Sequence, residues 1–198
     1  MNAAEEFLKD AGNNSEDLVG LLKDAMQLVA YYRRLLEHME MDTLTGLPSG
    51  NKFRSRIAEI GRRTTGVGII FFDVNDLKHY NDTLGHKAGD LLLQKAAESI
   101  LHITGPSAQA YRIGGDEFVL LHTNCVAALL EALLVRWRDN LARLNESDDG
   151  IHCSVAVGFA LGGEGEANED ISQVLERADQ RMYVHKQQMK AARQTPPA

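Results

Sequence analysis

The run Val67-Gly-Ile-Ile-Phe-Phe72 carries no polar side chain and ends abruptly at Asp73. It is β-branched and aromatic, of strand length, and bounded by Gly66 and an acid, so it reads as a buried central strand. Helical patterns stand on both sides of it, over Lys52–Arg62 before and over 75–84 and 88–103 after. Tyr111-Arg-Ile113 and Phe118-Val-Leu-Leu121 flank Gly114-Gly115, a dipeptide that favours a tight hairpin. A long helix at 125–145 leads to a strand over Ile151–Leu161. A polar, glycine-rich loop and a final helix over Ile171–Met189 follow, and Pro196-Pro197 ends a frayed tail. The expected fold class is α/β without repeats, a mixed central sheet flanked by helices.

With 198 residues, 44% hydrophobic and only 4 Pro, the chain can fill one core and carry an appendage. Its 21 basic and 28 acidic residues give a net charge of −7, which repels a phosphate backbone, so no nucleic-acid partner is expected. Cys125 and Cys153 stand beside apolar runs without CxxC or Cys/His spacing and read as buried free thiols of a reducing compartment. Glu5, Glu6, Lys9 and Asp10 stand where a signal peptide needs an apolar core, and no apolar stretch reaches the ~18 residues of a membrane span. A cytoplasmic protein without direct membrane insertion is expected.

Between Ser15 and Met41 apolar residues recur at Leu18, Leu21, Ala25, Leu28, Tyr32, Leu35 and Met39, in unbroken steps of three and four. That is a heptad seam, widened by Leu22, Val29 and Leu36. Ser15 supplies a capping hydroxyl ahead of two acids, and Gly20 weakens the first turns by about 1 kcal/mol relative to Ala. The seam predicts a coiled-coil stalk that pairs two chains; an amphipathic helix covering its own domain is the other reading. Gly46 and Pro48 end the pattern. The expected divisions are a stalk over 1–41, a folded α/β domain over 42–190 and a disordered tail over 191–198.

Common nucleotide motifs fail: Gly61 and Gly66 have P-loop spacing but Val67 stands where Lys is needed, and there is no GxGxxG, HExxH or GxSxG. What remains is Asp73 at the end of the buried strand and Asp116-Glu117 past the Gly-Gly turn. Carboxylates brought together by adjacent strands repel unless a hard cation, naturally Mg²⁺, sits between them. On these residues alone a turn with solvated acids explains the pattern equally well.

The wider pattern decides. Phe72-Asp-Val-Asn-Asp-Leu-Lys-His-Tyr-Asn-Asp-Thr-Leu-Gly-His-Lys-Ala-Gly-Asp90 followed by Arg112-Ile-Gly-Gly-Asp-Glu-Phe118 closely resembles the GGDEF-domain diguanylate cyclases. Asp42-Thr-Leu-Thr-Gly-Leu-Pro48 is similar to the family's opening motif, and Ala178-Asp179 with Tyr183 and Lys186 to its closing helix. The resemblance spans about residues 42–190. It implies a fold like that of nucleotidyl cyclases and polymerase palms, and conversion of two GTP into cyclic di-GMP and two pyrophosphates within a dimer. Carried over by position, Asp73, the Val74 carbonyl, Asp116 and Glu117 would bind Mg²⁺, or Mn²⁺ in its place. Glu117 is a candidate for assisting deprotonation of the ribose 3′-hydroxyl, and Lys78 would face developing phosphate charge. Asn81 and Asp90 match guanine-reading positions, and His86 a substrate-pocket position. Gly114 and Gly115 would let the nucleotide approach the backbone, and Lys186 and Lys190 would meet its terminal phosphates.

Several positions depart from the family pattern. Lys190 stands where Arg is common and offers a point charge rather than a fork. Ser49-Gly50 replaces Asn-Arg, Asn75 replaces a frequent Asp, and Gly105 and Ala108 occupy the Arg-x-x-Asp positions of the inhibitory product site, so product inhibition through that site is expected to be weak. An upstream sensory domain or a partner protein would supply the signal. A catalytically silent GTP or cyclic di-GMP binding module is the alternative reading.

Overall fold

A computed structural model describes residues 19–32, 40–147, 150–165 and 169–194. The chain forms two compact units, Met1–Met39 and Glu40–Ala198. In the first unit residues 19–32 form helix α1 with every side chain exposed. Seam residues Leu21, Leu28 and Tyr32 are 73%, 55% and 54% exposed. Ser15, Leu18, Leu35, Leu36 and Met39 lie outside the described residues. No helix among the described residues is long and apolar enough to cross a membrane.

The second unit runs α2 (Gly50–Ile60), β1 (Gly68–Val74), α3 (Leu77–Leu84), α4 (His86–Leu101), β2 (Ala108–Arg112), β3 (Glu117–His122), α5 (Ala127–Asn145), β4 (Val155–Leu161) and α6 (Ile171–Gln194). The sheet order is β2-β3-β1-β4. The α/β class stands, but the pairing corrects the expected mixed sheet: all three ladders are antiparallel. The β2–β3 hairpin folds back so that β3 rather than β2 lies against β1, and strands running the same way are never neighbours. The only parallel pairing among the described residues is the isolated bridge Ser49↔Arg112.

β1 is the central strand that its apolar run predicts, and the two-residue period of a strand sorts its side chains between two cores. Ile70, Phe72 and Val74 join Leu92, Ile100, Leu130 and Trp137 on the α4/α5 face. Ile69 joins Val119, Leu121, Phe53, Val174 and Ala178 on the α2/α6 face. Phe72 meets Trp137 with ring centroids 5.0 Å apart, and the indole N–H reaches Ser99 Oγ at 3.0 Å. Each such fully buried side chain contributes about 1.5–3 kcal/mol. The same alternation puts Asp73, with Ile69 and Phe71, on the α6 face.

α6 approaches the sheet closely because Gly158 has no side chain: a Cβ there would collide with the Met182 backbone nitrogen and the Ala178 carbonyl. β4 begins at Val155, later than predicted, because the Asn145 side chain takes both the N–H and the C=O of Cys153 at 2.8 Å. These are groups that a neighbouring strand would otherwise bond. The Gly114-Gly115 turn also differs from expectation. Its loop is Ile113–Asp116, and neither glycine has positive φ, so no two-residue hairpin turn forms. Gly114 instead makes room, since a Cβ there would lie 2.5 Å from a Glu117 carboxylate oxygen. α6 continues to Gln194, beyond the predicted end and into the segment expected to be a tail. Cys125 and Cys153 are free and buried, as predicted, and burial pushes the Cys153 thiol up to about 12.

Candidate active site

Register brings the acids together. Asp73 on β1 is paired with Glu117 on β3, and the Val74 N–H donates to the Asp116 carbonyl at 2.9 Å, so three acids meet at one end of the sheet. Asp73 is only 6% exposed. Burial pushes its carboxyl above the ordinary range and Asp116 adds to this, although Lys186, at 2.6 and 2.7 Å from its two oxygens, pulls the other way. Glu117 is raised by burial first and then by Asp116, Asp73 and Asp179. The electrostatic state of this end is an excess of negative charge, only partly offset.

The glycine loop is held from below. Arg112 donates to Asp42 at 3.0 and 3.1 Å and to the Gly115 carbonyl at 2.6 Å. Asp42 also accepts from the Thr45 N–H at 2.9 Å and hydroxyl at 2.7 Å. Burial opposes the charge on Asp42, but these bonds and the Arg112 guanidinium outweigh it and hold the carboxyl below the usual range. The opening motif therefore positions the loop rather than touching the chemistry. Gly50 lies against the Ile113 carbonyl, which a Cβ would approach to 3.3 Å.

Two cavities adjoin here and share Lys186 and Lys190. One, of about 600 Å³, is lined by Asp73, Glu117, Asp179 and Tyr183. The other, of about 260 Å³, is lined by Val74, Lys78, Asp116 and Arg193. Arg193 is a residue the sequence reading missed, though Lys186, Lys190 and Arg193 fall at i, i+4 and i+7 on one helix face. It donates to Asp76 at 2.5 Å and to Ser154 Oγ at 3.0 Å. Asp76 has φ +64°, a left-handed conformation that Asp tolerates better than most residues. Asn75, where an Asp is frequent, is buried and uses its amide as a donor, to Ser154 Oγ at 3.2 Å and Met189 Sδ at 3.7 Å. An ionised carboxylate has no proton to donate to either acceptor.

Asn81, His86 and Asp90 line neither cavity. They lie on the α3–α4 hairpin, where the Asn81 amide occupies the space a Cβ on Gly89 would fill, beside Asp90. His86 opens α4, and both it and Asp90 are exposed. Gly105 and Ala108 close on each other through backbone bonds of 2.9 and 3.0 Å. They line a separate cavity of about 510 Å³ that also holds Arg56, a guanidinium from α2 that the Arg-x-x-Asp comparison does not reveal.

Of the expected ligand set, Asp73 and Glu117 line one cavity, and Val74 and Asp116 the other. Among the described residues no group of three or more His, Cys, Asp or Glu side chains is arranged to hold a metal ion. The Lys186 ammonium stands on Asp73. The donor set nonetheless fits a hard cation such as Mg²⁺ or Mn²⁺, being all oxygen and carrying uncompensated negative charge, with an ammonium standing in at its most buried member.

The family model described as "Diguanylate cyclase, GGDEF domain" matches residues 39–192. The chain is 27% identical to diguanylate cyclase A of Treponema denticola over 94% of its own length and 51% of that protein. It is also 27% identical to the cyclic di-GMP phosphodiesterase PdeB of Shewanella oneidensis, over 80% of its own length and 19% of that protein. It thus spans about half or less of these curated relatives. Among solved structures it is similar to the coiled coil and GGDEF domain of DgcB from Caulobacter crescentus in complex with c-di-GMP. That match has a TM-score of 0.68 and 27% identity, and covers 86% of this chain and 94% of the other.

Proposed function

The chain belongs to the GGDEF family of diguanylate cyclases, and from that premise we propose that it condenses two GTP molecules into cyclic di-GMP with release of two pyrophosphates. The observation that carries this reading is the Asp73–Glu117 register pair, with Asp116 alongside, facing two cavities that share Lys186 and Lys190. Acids for a cation and cations for a triphosphate lie within one end of the sheet.

Asp73, Asp116, Glu117 and the Val74 carbonyl would hold Mg²⁺, which supplies charge neutralisation at the reacting phosphate when bound. Glu117, raised by burial first and then by its acidic neighbours, is suited to receive a proton from the ribose 3′-hydroxyl. Lys78, Lys186 and Lys190 face phosphate oxygens, and Arg193 adds the fork that Lys190 lacks. Gly114 and Gly115 keep the approach to the backbone clear. Asp90 would accept from guanine N1–H and its exocyclic amine, Asn81 beside it would complete the base contact, and His86 would add a further substrate contact from the start of α4. GTP is therefore preferred over ATP.

Each domain holds one GTP, so two domains must face each other. The exposed seam of α1 through Leu21, Ala25, Leu28 and Tyr32 is the means of pairing, as the stalk of a homodimer. A silent nucleotide-binding module is the second reading, favoured by the Lys186–Asp73 pair, which closes the metal position. Incubation with GTP and Mg²⁺ followed by chromatography separates the two: cyclic di-GMP supports the enzyme, and GTP binding without product supports the silent module.

A further inference from the structure

A cavity of about 490 Å³ opens between α5 and α6, and none of the site residues assigned above lines it. Trp137 and Leu141, both buried, and the half-buried Met189 make much of its lining apolar. The volume suits a small organic molecule rather than a lone ion. Two polar groups in this lining carry chemistry. Arg138 is exposed and makes no hydrogen bond or ion pair with any described residue. His185 accepts the Val157 N–H at Nδ1, 2.9 Å away, so its neutral ring keeps the proton on Nε2 and offers a donor. Burial and the neighbouring Arg138 both hold the ring below its ordinary pKa, which preserves that form. The one carboxylate in the lining, Glu146, stands eight residues along α5 from Arg138, about 12 Å by helical rise.

We propose that this groove is a binding site for a small aromatic carboxylate, its acid group held by Arg138 and the His185 Nε2–H and its rings seated on Leu141, Val155 and Met189. A guanidinium takes a carboxylate through two parallel hydrogen bonds, and Arg138 has no partner among the described residues to give up. The site backs onto the candidate active site. Met189 also lines the basic cavity with Lys78 and Lys190, and Ser154, in the groove wall, accepts from Arg193. The inference does not depend on the proposed GTP chemistry.

Trp137 is the only tryptophan, so the ¹⁵N-labelled full chain has one indole N–H resonance; the side chain lines this wall, and its N–H, bonded to Ser99 Oγ behind it, reports on ring displacement and on ring currents from a bound aromatic. Titration with 2-naphthoate should shift that resonance saturably. The neutral isostere 2-naphthamide should bind about tenfold more weakly, the loss expected for a charge-assisted contact. Arg138→Glu should weaken naphthoate about tenfold and bring the two ligands level, while Arg138→Lys keeps most of the preference. No saturable shift up to the solubility limit, equal affinity for the two ligands in the unaltered protein, or unchanged naphthoate affinity in Arg138→Glu would each overturn the proposal. The comparison of ligands in the unaltered protein holds whether or not the variants fold.

Discussion

Asp42 and Glu169 brace loops, whereas Asp73 and Glu117 stand at the end of the sheet, and the two regions hold their carboxylates in opposite conditions. Glu169 is buried, accepts from Arg177 at 2.7 Å and from the Gly163 N–H at 2.5 Å, and is held below its ordinary range chiefly by Arg177. Asp42 is lowered by Thr45 and Arg112 despite its burial. Asp73 and Glu117 are raised because burial is answered by too few partners. The difference teaches what each acid is for. A carboxylate whose bonds are complete within the chain braces a loop, and one left short of positive charge is ready for a cation from outside.

The largest expected effect tests the second half of that contrast. Asp116→Asn should reduce cyclic di-GMP formation by a factor of about 100 or more while leaving the thermal midpoint within a degree or two, because it removes charge from a loop rather than a core contact. A variant that unfolds early would place Asp116 among the bracing acids instead. Next in size, Glu169→Gln should cost about 2–3 kcal/mol in denaturant unfolding, since it strips a mostly buried pair of one partner, with turnover per folded molecule unchanged.

Smaller again is the response to metal. Mg²⁺ at millimolar concentration should raise the thermal midpoint of the unaltered protein through preferential binding to the folded state, and should do so much less in Asp73→Asn. Equal stabilisation of both proteins would move the cation away from the sheet end. The smallest effect is in pH. Asp42 and Glu169 contribute stability that is complete above their ordinary values of 3.8 and 4.5 and is lost as pH falls through their lowered ones. Asp73 and Glu117 act in the opposite sense, and their contribution declines as pH rises from 3.8 and 4.5 through their raised values. Unfolding free energies between pH 3 and 7 should therefore show a shallower acid loss in Glu169→Gln and a gain toward neutrality in Asp73→Asn with Glu117→Gln.

Local pattern made much of this legible. The apolar run of β1 announced a central strand, and the spaced motifs from Asp42 to Lys186 announced the family. What stayed hidden depends on pairs distant in sequence. The Asp42–Arg112 clamp joins residues 70 apart, and Arg193 reaches Asp76 across 117. No periodicity encodes either partner. The role of Gly158 was hidden for a related reason: a glycine inside an apolar strand does not say which helix will press against it. The extended course of α6 carried Arg193 with it, and reading the helix as ending at Met189 lost both at once.

The Lys186–Asp73 contact has a consequence for how the site fills. The helix brings its own counter-ion, so the acidic end is never bare, and a nucleotide arriving with its metal does not simply add itself to a vacant surface. Under the proposed function it would enter by double exchange, Lys186 turning from Asp73 to a phosphate and Asp73 becoming free to hold the metal. One contact within the protein would thus give way to two with the arriving pair, so metal and triphosphate together should bind more tightly than either alone: metal alone would leave Lys186, and triphosphate alone would leave Asp73, without its partner.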